Sequence, residues 1–316
     1  MDRLTSMQVF TRVVERRSFT RAAEDLDLPR STISDAIRAL EARLGVRLLQ
    51  RTTRHVSPTL DGAAYYQRCL SILAEIEDAE SAFTSAHPAG HLRVEVHGTL
   101  ARHVILPALP AFLAAYPDID IHMSEGDRWA DPVREGLDCV VRVGNLPDSG
   151  MVARRLTLLN EVTLAAPAYL VRHGRPSHPD DLAGVHRMVG FHSTATGALL
   201  PLEFSVDGQL RQITLPSSFS VTAAESYVAA ALLGLGLIQV PHYHVEAMLN
   251  AGTLEQVLPA FPPSPSPVFL MYPQNRQLSP RFRVFRDWVV GLFEVMARTG
   301  PASPSPSSSL APTPGS

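Results

Sequence analysis

Residues 18–38 read Ser-Phe-Thr-Arg-Ala-Ala-Glu-Asp-Leu-Asp-Leu-Pro-Arg-Ser-Thr-Ile-Ser-Asp-Ala-Ile-Arg, and this stretch decides the fold of the N-terminal part. Apolar residues recur at helical spacing behind Ser18, a residue type that caps helix starts, which predicts a short helix. Pro29 ends it, because the residue before a proline is displaced from helical geometry. A second helix follows, with Ile33 and Ile37 on an apolar stripe and polar residues opposite. Two short helices joined by a tight turn are typical of a helix-turn-helix, whose second helix fits a DNA major groove.

The charge around this stretch decides between two interpretations that the spacing leaves open. The alternative to DNA binding is an ordinary helical hairpin inside a larger core. Between residues 30 and 59, six arginines stand against two acidic residues, a local net charge of +4 in a chain of formal charge −3. Basic charge concentrated beside a helix-turn-helix is typical of phosphate binding, so the charge favours DNA binding.

The residues around the motif predict a three-helix core with a wing. An apolar stripe over residues 4–14 indicates a first helix, and Gly45 supplies the left-handed residue that ends the third. Residues 46–59 lose the helical period, and their β-branched content predicts two short strands. Arg51 and Arg54 near the wing tip are predicted to hold backbone phosphates, although any single arginine could equally be a solvated surface charge.

Residues 61–86 return to a helical pattern with a heptad-like apolar seam, formed by Tyr66, Cys69, Leu73, Ile76 and Phe83. A seam of this length with no apparent neighbour on its own chain predicts pairing with a second copy. Packing on the chain's own core is the alternative. A dimer would present two recognition helices to half-sites about one helical turn apart.

Beyond a linker at 87–90, strand and helix patterns alternate, which predicts a mainly parallel sheet with helices on its faces. The predicted strands are 92–96, 119–123, 139–143, 161–165, 188–191, 217–221, 237–240 and 268–272. The predicted helices are 101–116, 132–135, 223–233 and 280–297. The proline- and serine-rich segment after Gly300 predicts a disordered tail.

Length and composition indicate a multidomain protein without a membrane span. The chain has 316 residues, 45% of them hydrophobic, which is enough for two or three domains. Cys69 and Cys139 are predicted to be small core residues rather than ligands or nucleophiles. The longest apolar run, 228–240, is broken by two glycines and falls short of the ~20 residues that span a bilayer. The N-terminus lacks an export signal, so a cytoplasmic protein with no membrane partner is expected.

Several motifs carry a resemblance to a known family. The most specific are Ser18-Phe19-Thr20-Arg21-Ala22-Ala23, Ile37-Arg38-Ala39-Leu40-Glu41 with Leu44-Gly45-Val46, and Leu48-Leu49-Gln50-Arg51-Thr52-Thr53-Arg54. Further matches are Leu106-Pro107, Phe112-Leu113, Tyr116-Pro117, residues 136–144 and residues 167–170. From residue 2 to residue 299 the chain resembles LysR-type transcriptional regulators.

This resemblance implies an α/β protein with an N-terminal winged helix-turn-helix and a two-subdomain effector region similar to periplasmic solute-binding proteins. Members commonly assemble as tetramers from two kinds of dimer. The domain bounds expected are 1–60 for the DNA-binding domain, 61–90 for a dimerising linker helix and hinge, 91–299 for the effector region and 300–316 for the tail. Subdomain I is expected at 91–162 with 268–299, and subdomain II at 163–267.

Nine residues are predicted to contact operator or promoter DNA: Arg30, Ser31, Thr32, Ser34, Asp35, Arg38, Arg51, Thr52 and Arg54. The six on the second helix are predicted to read base edges, and those of the wing to hold the backbone. The family usually has a serine at Pro29, a glutamine at Arg30 and a basic residue at Asp35, so the operator sequence is not transferable. Asp35 could accept from cytosine or hold a neighbouring arginine.

By similarity the effector-binding residues are His97, Gly98, Thr99, Arg142, Gly144, Phe191, His192, Ser193 and Thr222. Thr99 and Thr222 are expected where helices begin, and the amides there attract anions, which favours a small carboxylate-bearing metabolite. Both threonines could equally only cap their helices. Arg142 could clamp a carboxylate or form an internal salt bridge. Neither histidine has a second ligand at metal spacing, so no metal is expected.

Catalysis has little support, because the sequence contains no dinucleotide fingerprint, phosphate loop, nucleophile elbow or zinc-protease motif. No catalytic residues and no cofactor are expected. A solute-binding protein without DNA function is the other non-enzyme alternative, but it leaves residues 1–60 unexplained. The expected partners are double-stranded DNA, an unidentified small-molecule effector, further copies of the chain as a dimer or tetramer, and RNA polymerase as a further candidate.

Overall fold

The computed structural model describes residues 1–51, 56–81, 87–126, 135–144, 146, 150–194, 196–274 and 279–299. The chain divides into two compact units. The first comprises Met1–Arg155 with Phe269–Val289, and the second comprises Leu156–Val268 with Val290–Ser316. The tail predicted at 300–316 lies outside the described residues, as does all but the last residue of the helix predicted at 132–135.

Three helices open the first unit: α1 (Arg3–Arg16), α2 (Phe19–Asp25) and α3 (Arg30–Leu44). Their ends follow from local chemistry. The Ser18 hydroxyl accepts a hydrogen bond from the Arg21 amide at 3.3 Å, so the predicted cap is present. Gly45 ends α3 at φ 73°, a left-handed conformation that favours glycine. The helix-turn-helix is therefore confirmed.

A two-stranded wing follows, in which β1 (Leu49–Arg51) runs antiparallel to β2 (Val56–Pro58), and it leads into the long helix α4 (Leu60–Ser81). The helices, the wing and α4 share one hydrophobic core. Its members that are at most 1% exposed are Val9, Phe10, Val13, Ala22, Ile33, Ile37, Leu40, Leu48 and Cys69. The predicted three-helix core and strand pair are both confirmed.

The apolar seam of α4 has neighbours on its own chain, so the expectation that it has none was wrong. Cys69 is fully buried in the core that α4 shares with the first three helices. Gln67 accepts a 2.6 Å hydrogen bond from the Arg93 guanidinium. The other described seam residues are half-buried: Tyr66, Leu73 and Ile76. Phe83 lies outside the described residues. Pairing of two copies through α4 stays a prediction.

The remainder of the first unit is built on a five-stranded sheet. Its strands are β3 (Gly90–Val96), β4 (Ile119–Glu125), β5 (Cys139–Val143), β6 (Val152–Leu159) and β14 (Ser266–Tyr272), in the order β4-β3-β5-β14-β6. Strand β3 runs parallel to β4 and to β5, as the alternating pattern predicts. Strand β6 falls on a segment for which the sequence predicts no element.

The connection from β3 to β4 is a long helix, α5. It begins at Gly98–Leu100, passes through a π-helical turn at Ala101–Ile105 and continues as Leu106–Ala115. The buried ring of Phe112 fixes the helix, because its centroid lies 5.8 Å from Phe285 and 4.7 Å from Trp288. Both partners belong to the C-terminal helix α9 (Pro280–Thr299).

By length and composition alone, Gly98–Ala115 could cross a membrane. The sequence predicted that no apolar segment approaches the length of a membrane span. By length and composition alone, that prediction does not hold for this helix. One such helix is weak evidence, since core helices of water-soluble proteins pass the same test. This helix buries Phe112 on one side, and Arg102 pairs with Glu125 at 3.0 Å. A buried side and a charged side are typical of a helix that packs on a domain core.

Among its described residues, the second unit contains seven strands that form small sheets: β7 (Glu161–Ala165), β8 (Gly190–Phe191), β9 (Leu202–Val206), β10 (Gln209–Ile213), β11 (Ser220–Val221), β12 (Ile238–Pro241) and β13 (Glu255–Gln256). Its shorter helices are α6 (Pro167–His173), α7 (Ala224–Leu232) and α8 (His242–Asn250). Strands β8 and β11 are parallel, but β7 pairs antiparallel with β12 and β13, and β9 with β10. The prediction of mainly parallel pairing is wrong for this unit, while the α/β class holds.

Two glutamates of the second unit form a polar cluster beside its core. Glu161 accepts a 2.7 Å hydrogen bond from the Ser266 hydroxyl, and Glu203 accepts one from Ser264. Gln239 donates at 2.7 Å to the Glu203 carbonyl oxygen. Burial, together with the charge of Glu203, raises the pKa of the Glu161 carboxyl to about 7, against the smaller opposing effect of Ser266.

This raised pKa predicts a pH dependence of stability. Because the folded chain binds the Glu161 proton more tightly than the unfolded chain, the stabilisation is complete below the ordinary pKa of 4.5 and is lost as pH rises to about 7. Glu161→Gln cannot ionise. The melting temperature of this variant relative to wild type should therefore rise between about pH 5 and about pH 8. A melting-temperature difference between Glu161→Gln and wild type that stays flat across this pH range would contradict the prediction.

Candidate nucleic-acid interface

The outward face of α3 carries the six predicted base-reading residues. Arg30, Ser31, Asp35 and Arg38 are exposed, and Thr32 and Ser34 are half-buried at the edges of the face. The opposite face is buried in the core that α3 shares with α1, α2, the wing and α4, through Ile33, Ala36, Ile37 and Leu40. A helix that is fixed by one face and polar on the other can enter a major groove while its packing stays intact.

The turn before α3 leaves its first amides open to a ligand. Asp27 adopts φ 50°, and the Leu28 amide donates to the Ala23 carbonyl at 3.0 Å, which closes the turn tightly. The N-cap position of α3 is Pro29, whose side chain cannot accept a hydrogen bond. First-turn amides without a side-chain cap are suited to bind a phosphate oxygen.

Asp35 and Arg38 form an exposed ion pair. Their closest atoms, Arg38 Nη1 and Asp35 Oδ1, are 3.4 Å apart, and the side chains are 69% and 70% exposed. Exposed pairs of this kind contribute little to stability, so either side chain can turn to a base edge at small cost. Of the two roles that the sequence leaves open for Asp35, holding the neighbouring arginine is the one seen in the free chain.

The wing residues are placed only in part. Arg51 ends β1 opposite Val56. Its side chain, and all of Thr52 and Arg54, lie outside the described residues. Arg47, just before β1, is also exposed, and it adds a basic side chain that was not among the predicted DNA contacts.

The first unit holds five of the nine predicted effector residues, at or near the carboxyl ends of two parallel strands. Val96 of β3 is in register with Val141 of β5, and the His97 amide donates to the Val141 carbonyl at 3.0 Å. His97, Gly98, Thr99 and Gly144 follow these strand ends. The Thr99 hydroxyl lies 2.9 Å from His97 Nδ1. Carboxyl ends of parallel strands are the usual ligand-binding edge of α/β sheets.

Arg142 forms the internal salt bridge that the sequence leaves open as one of two roles. Its guanidinium pairs with the buried carboxylate of Glu95 and donates at 2.8 Å to the Gly126 carbonyl oxygen. The Arg142 and Glu95 side chains are 7% and 5% exposed. A guanidinium held on two sides is a poor candidate for a ligand clamp.

The second unit holds the other predicted effector residues at the ends of β8 and β11. Phe191 packs on Tyr227 with ring centroids 5.0 Å apart. The His192 amide donates to the Val221 carbonyl at 2.8 Å, which brings His192 and Ser193 beside Thr222. The Ser193 hydroxyl accepts from the Thr196 amide at 3.3 Å, so the loop folds back on itself.

Neither threonine occupies the N-cap position of its helix. His97 precedes the first turn of α5, and Thr99 is the second residue of that turn. The N-cap of α7 is Ala223, one residue after the exposed Thr222. The alternative that the threonines only cap their helices is therefore wrong.

Comparison with known proteins identifies the chain. A model described as "Bacterial regulatory helix-turn-helix protein, lysR family" matches residues 4–63, and one described as "LysR substrate binding domain" matches residues 85–294. The chain belongs to the LysR family of transcriptional regulators. Members of this family bind DNA and form oligomers, and modulation by an effector is typical of them.

Individual LysR-type relatives span nearly the whole chain. The regulator YhjC of Escherichia coli K12 is 39% identical over 299 residues, 93% of this chain and 99% of its own length. A transcriptional repressor of Pseudomonas aeruginosa is 38% identical over 297 residues, 93% of each chain. The structure of CrgA, a LysR-type regulator from Neisseria meningitidis, is similar with a TM-score of 0.59, 31% identity and coverage of 92% and 98% of the two chains.

Proposed function

We propose that this LysR-type regulator reads its operator with the outward face of α3 and holds the DNA backbone with the wing. The observation that carries the proposal is the division of α3 into a buried apolar face and an exposed face of hydrogen-bonding side chains. Arg30, Ser31, Thr32, Ser34, Asp35 and Arg38 contact base edges, and Arg51, Thr52 and Arg54 contact phosphates.

Substitutions on the outward face of α3 and substitutions in the wing should change DNA binding in different ways. Ser34→Ala or Arg38→Ala is expected to cost ~1–3 kcal/mol on the cognate operator and to relax base preference, because each removes a hydrogen bond to a base edge. Arg51→Ala is expected to weaken binding to operator and random duplex alike, with a salt slope shallower by about 0.9 for each phosphate that is no longer neutralised. Fluorescence anisotropy with both duplexes over a salt series measures the two effects. Altered base preference with an intact salt slope for Arg51→Ala would reverse the assigned roles.

The effector-binding residues are proposed as two sets, one from each unit. The set of the first unit is His97, Gly98, Thr99, Arg142 and Gly144, and that of the second is Phe191, His192, Ser193 and Thr222. Both lie within the match to the substrate-binding domain. The preferred ligand is a small carboxylate-bearing metabolite, bound through backbone amides and hydroxyls at the strand ends. Arg142 contributes by holding β5, since Glu95 already neutralises its charge.

Thr99→Val tests the effector assignment. The variant keeps the shape of the side chain but lacks the hydroxyl, so it should blunt the response of DNA binding to the effector while leaving operator affinity without effector unchanged. A panel of small carboxylates, screened by the melting temperature of the full chain, supplies the ligand. Loss of basal operator binding in Thr99→Val would instead assign Thr99 a structural role.

The proposal also covers the oligomeric assembly of the protein, its cellular location and its domain bounds. Two copies pair through α4 and two such dimers form a tetramer, with RNA polymerase as a further candidate partner at the promoter. The protein acts in the cytoplasm, where it meets chromosomal DNA, and it regulates without catalysis. The domain bounds proposed are 1–60, 61–90, 91–299 and 300–316.

A further inference from the structure

The recognition helix holds the entrance to the wing through one side chain. Oε1 of Glu41 accepts hydrogen bonds from the amides of Leu48, at 2.8 Å, and Leu49, at 3.1 Å. Glu41 belongs to the last turn of α3, so the helix that carries the base-reading face also fixes the backbone of the first wing strand. Hydrogen bonds to an ionised acceptor are stronger than those between neutral groups.

Thr59 holds the same segment through its carbonyl oxygens, whereas Glu41 holds it through its amides. Its hydroxyl donates to the Arg47 carbonyl oxygen at 2.7 Å and accepts from the Gly62 amide at 2.9 Å. Its amide donates to the Leu48 carbonyl oxygen at 2.9 Å. Because Thr59 immediately precedes α4, it joins the wing entrance to the first turn of the linker helix.

Three elements therefore meet at residues 47–49. Helix α4 packs closely on this segment, because a Cβ atom added at Gly62 would lie 1.9 Å from the Leu48 carbonyl oxygen. Leu48 and Leu49 are 1% and 4% exposed, so the segment is also packed in the core. The basic residues Arg47 and Arg51 flank these two leucines. Any shift of the segment would move both arginines relative to α3.

We propose that Glu41 and Thr59 are positioning residues for DNA recognition, which set the wing at the distance from α3 where both elements reach one duplex. Neither residue needs to touch DNA. Through the hydrogen bonds of Thr59, the linker helix α4 is also joined directly to the backbone at the entrance to the wing. This inference rests on the proposed role of the wing in phosphate binding.

The test compares full-length variants on a duplex from the promoter beside the chain's own gene and on a random duplex, over a salt series. Glu41→Ala should weaken binding to both duplexes by a similar factor, roughly threefold to tenfold, with a salt slope shallower by about 0.9 for each phosphate that the wing no longer reaches. Glu41→Gln keeps an acceptor oxygen and should retain the wild-type slope. Glu24→Ala removes an exposed carboxylate from α2 and should also keep that slope, which controls for the change in net charge.

Thr59 provides an independent pair of variants. Thr59→Val removes the hydroxyl and should reproduce the shallower slope, whereas Thr59→Ser keeps the hydroxyl and should not. All affinities are measured well below each melting temperature. If Glu41→Ala does not fold, the Thr59 pair decides. A folded Glu41→Ala or Thr59→Val with lowered stability but the wild-type slope overturns the inference. If Arg51→Ala also leaves the slope unchanged, the proposed role of the wing itself has failed.

Discussion

Glu95→Ala is expected to lower the free energy of unfolding by about 3–5 kcal/mol, the usual cost of leaving one buried charge without its partner. The substitution removes the carboxylate that neutralises Arg142 in a place where the two side chains are 5% and 7% exposed. The guanidinium keeps its hydrogen bond to the Gly126 carbonyl but loses the Glu95 carboxylate. Urea unfolding of the full chain at neutral pH measures the decrease.

The matched control replaces both members of the ion pair. Glu95→Leu combined with Arg142→Met removes both charges of the pair, so the double variant should be much more stable than Glu95→Ala, as found when buried pairs are exchanged for apolar residues of similar volume. A Glu95→Ala variant that unfolds at the wild-type urea concentration would show that the Arg142 charge is solvated. Arg142 would then again be a candidate to clamp a carboxylate effector.

Gly62→Ala is expected to destabilise the DNA-binding domain by roughly 3 kcal/mol or more, at or beyond the upper end of ordinary overpacking. The added methyl group would lie 1.9 Å from a backbone oxygen, that of Leu48, which cannot move without displacing the wing. Operator binding should fall together with the melting temperature of this domain, measured by fluorescence anisotropy and by circular dichroism.

Gly291→Ala is the control for this substitution. Gly291 lies inside helix α9, and apart from its chain neighbours and the nearby backbone of that helix, no atom would lie within 4 Å of an added Cβ. Alanine is more favourable than glycine in a helix interior by about 0.8–1 kcal/mol, so this variant should be as stable as wild type or more so. Equal melting temperatures for Gly62→Ala and wild type would mean that α4 can shift freely against the wing.

The N-terminal fold could be predicted because its signals are local. The Ser18 cap, the left-handed Gly45 and the stripe through Ile33 and Ile37 each lie within one or two helical turns of the structure they specify. Strands β6 and β10 were missed because they are largely exposed and carry a weak alternating pattern, and β9 was missed although Leu202 and Phe204 alternate into the core. Antiparallel pairing of β7 was missed for another reason: strand direction depends on the return path of the chain, which a strand's own sequence does not encode.

The candidate site residues also fall into two groups: those that the local sequence predicts and those that depend on contacts between distant parts of the chain. The polar face of α3 follows from helical spacing and could be predicted directly. The pairing of Arg142 with Glu95 could not, since the two residues are separated by 47 positions and meet only when β3 and β5 lie side by side. In the sequence, Glu41 is one of two acidic residues in a basic stretch and the last residue of a motif that carries the family resemblance. Its acceptor role depends on the chain turning back at Gly45, and no motif in the sequence specifies that hydrogen bond.

Both cysteines of the chain, Cys69 and Cys139, are buried in the folded protein with 0% exposure. A thiol-reactive fluorophore should therefore find no accessible native sulfur, and a single cysteine introduced at an exposed position such as Glu24 could be labelled without removing the other two. The chain also contains no lysine, so amine-directed coupling is confined to the N-terminus. Two probes of different chemistry can thus be attached to one molecule. Distances measured from these probes in single complexes would then report how the DNA-binding domain moves on its duplex.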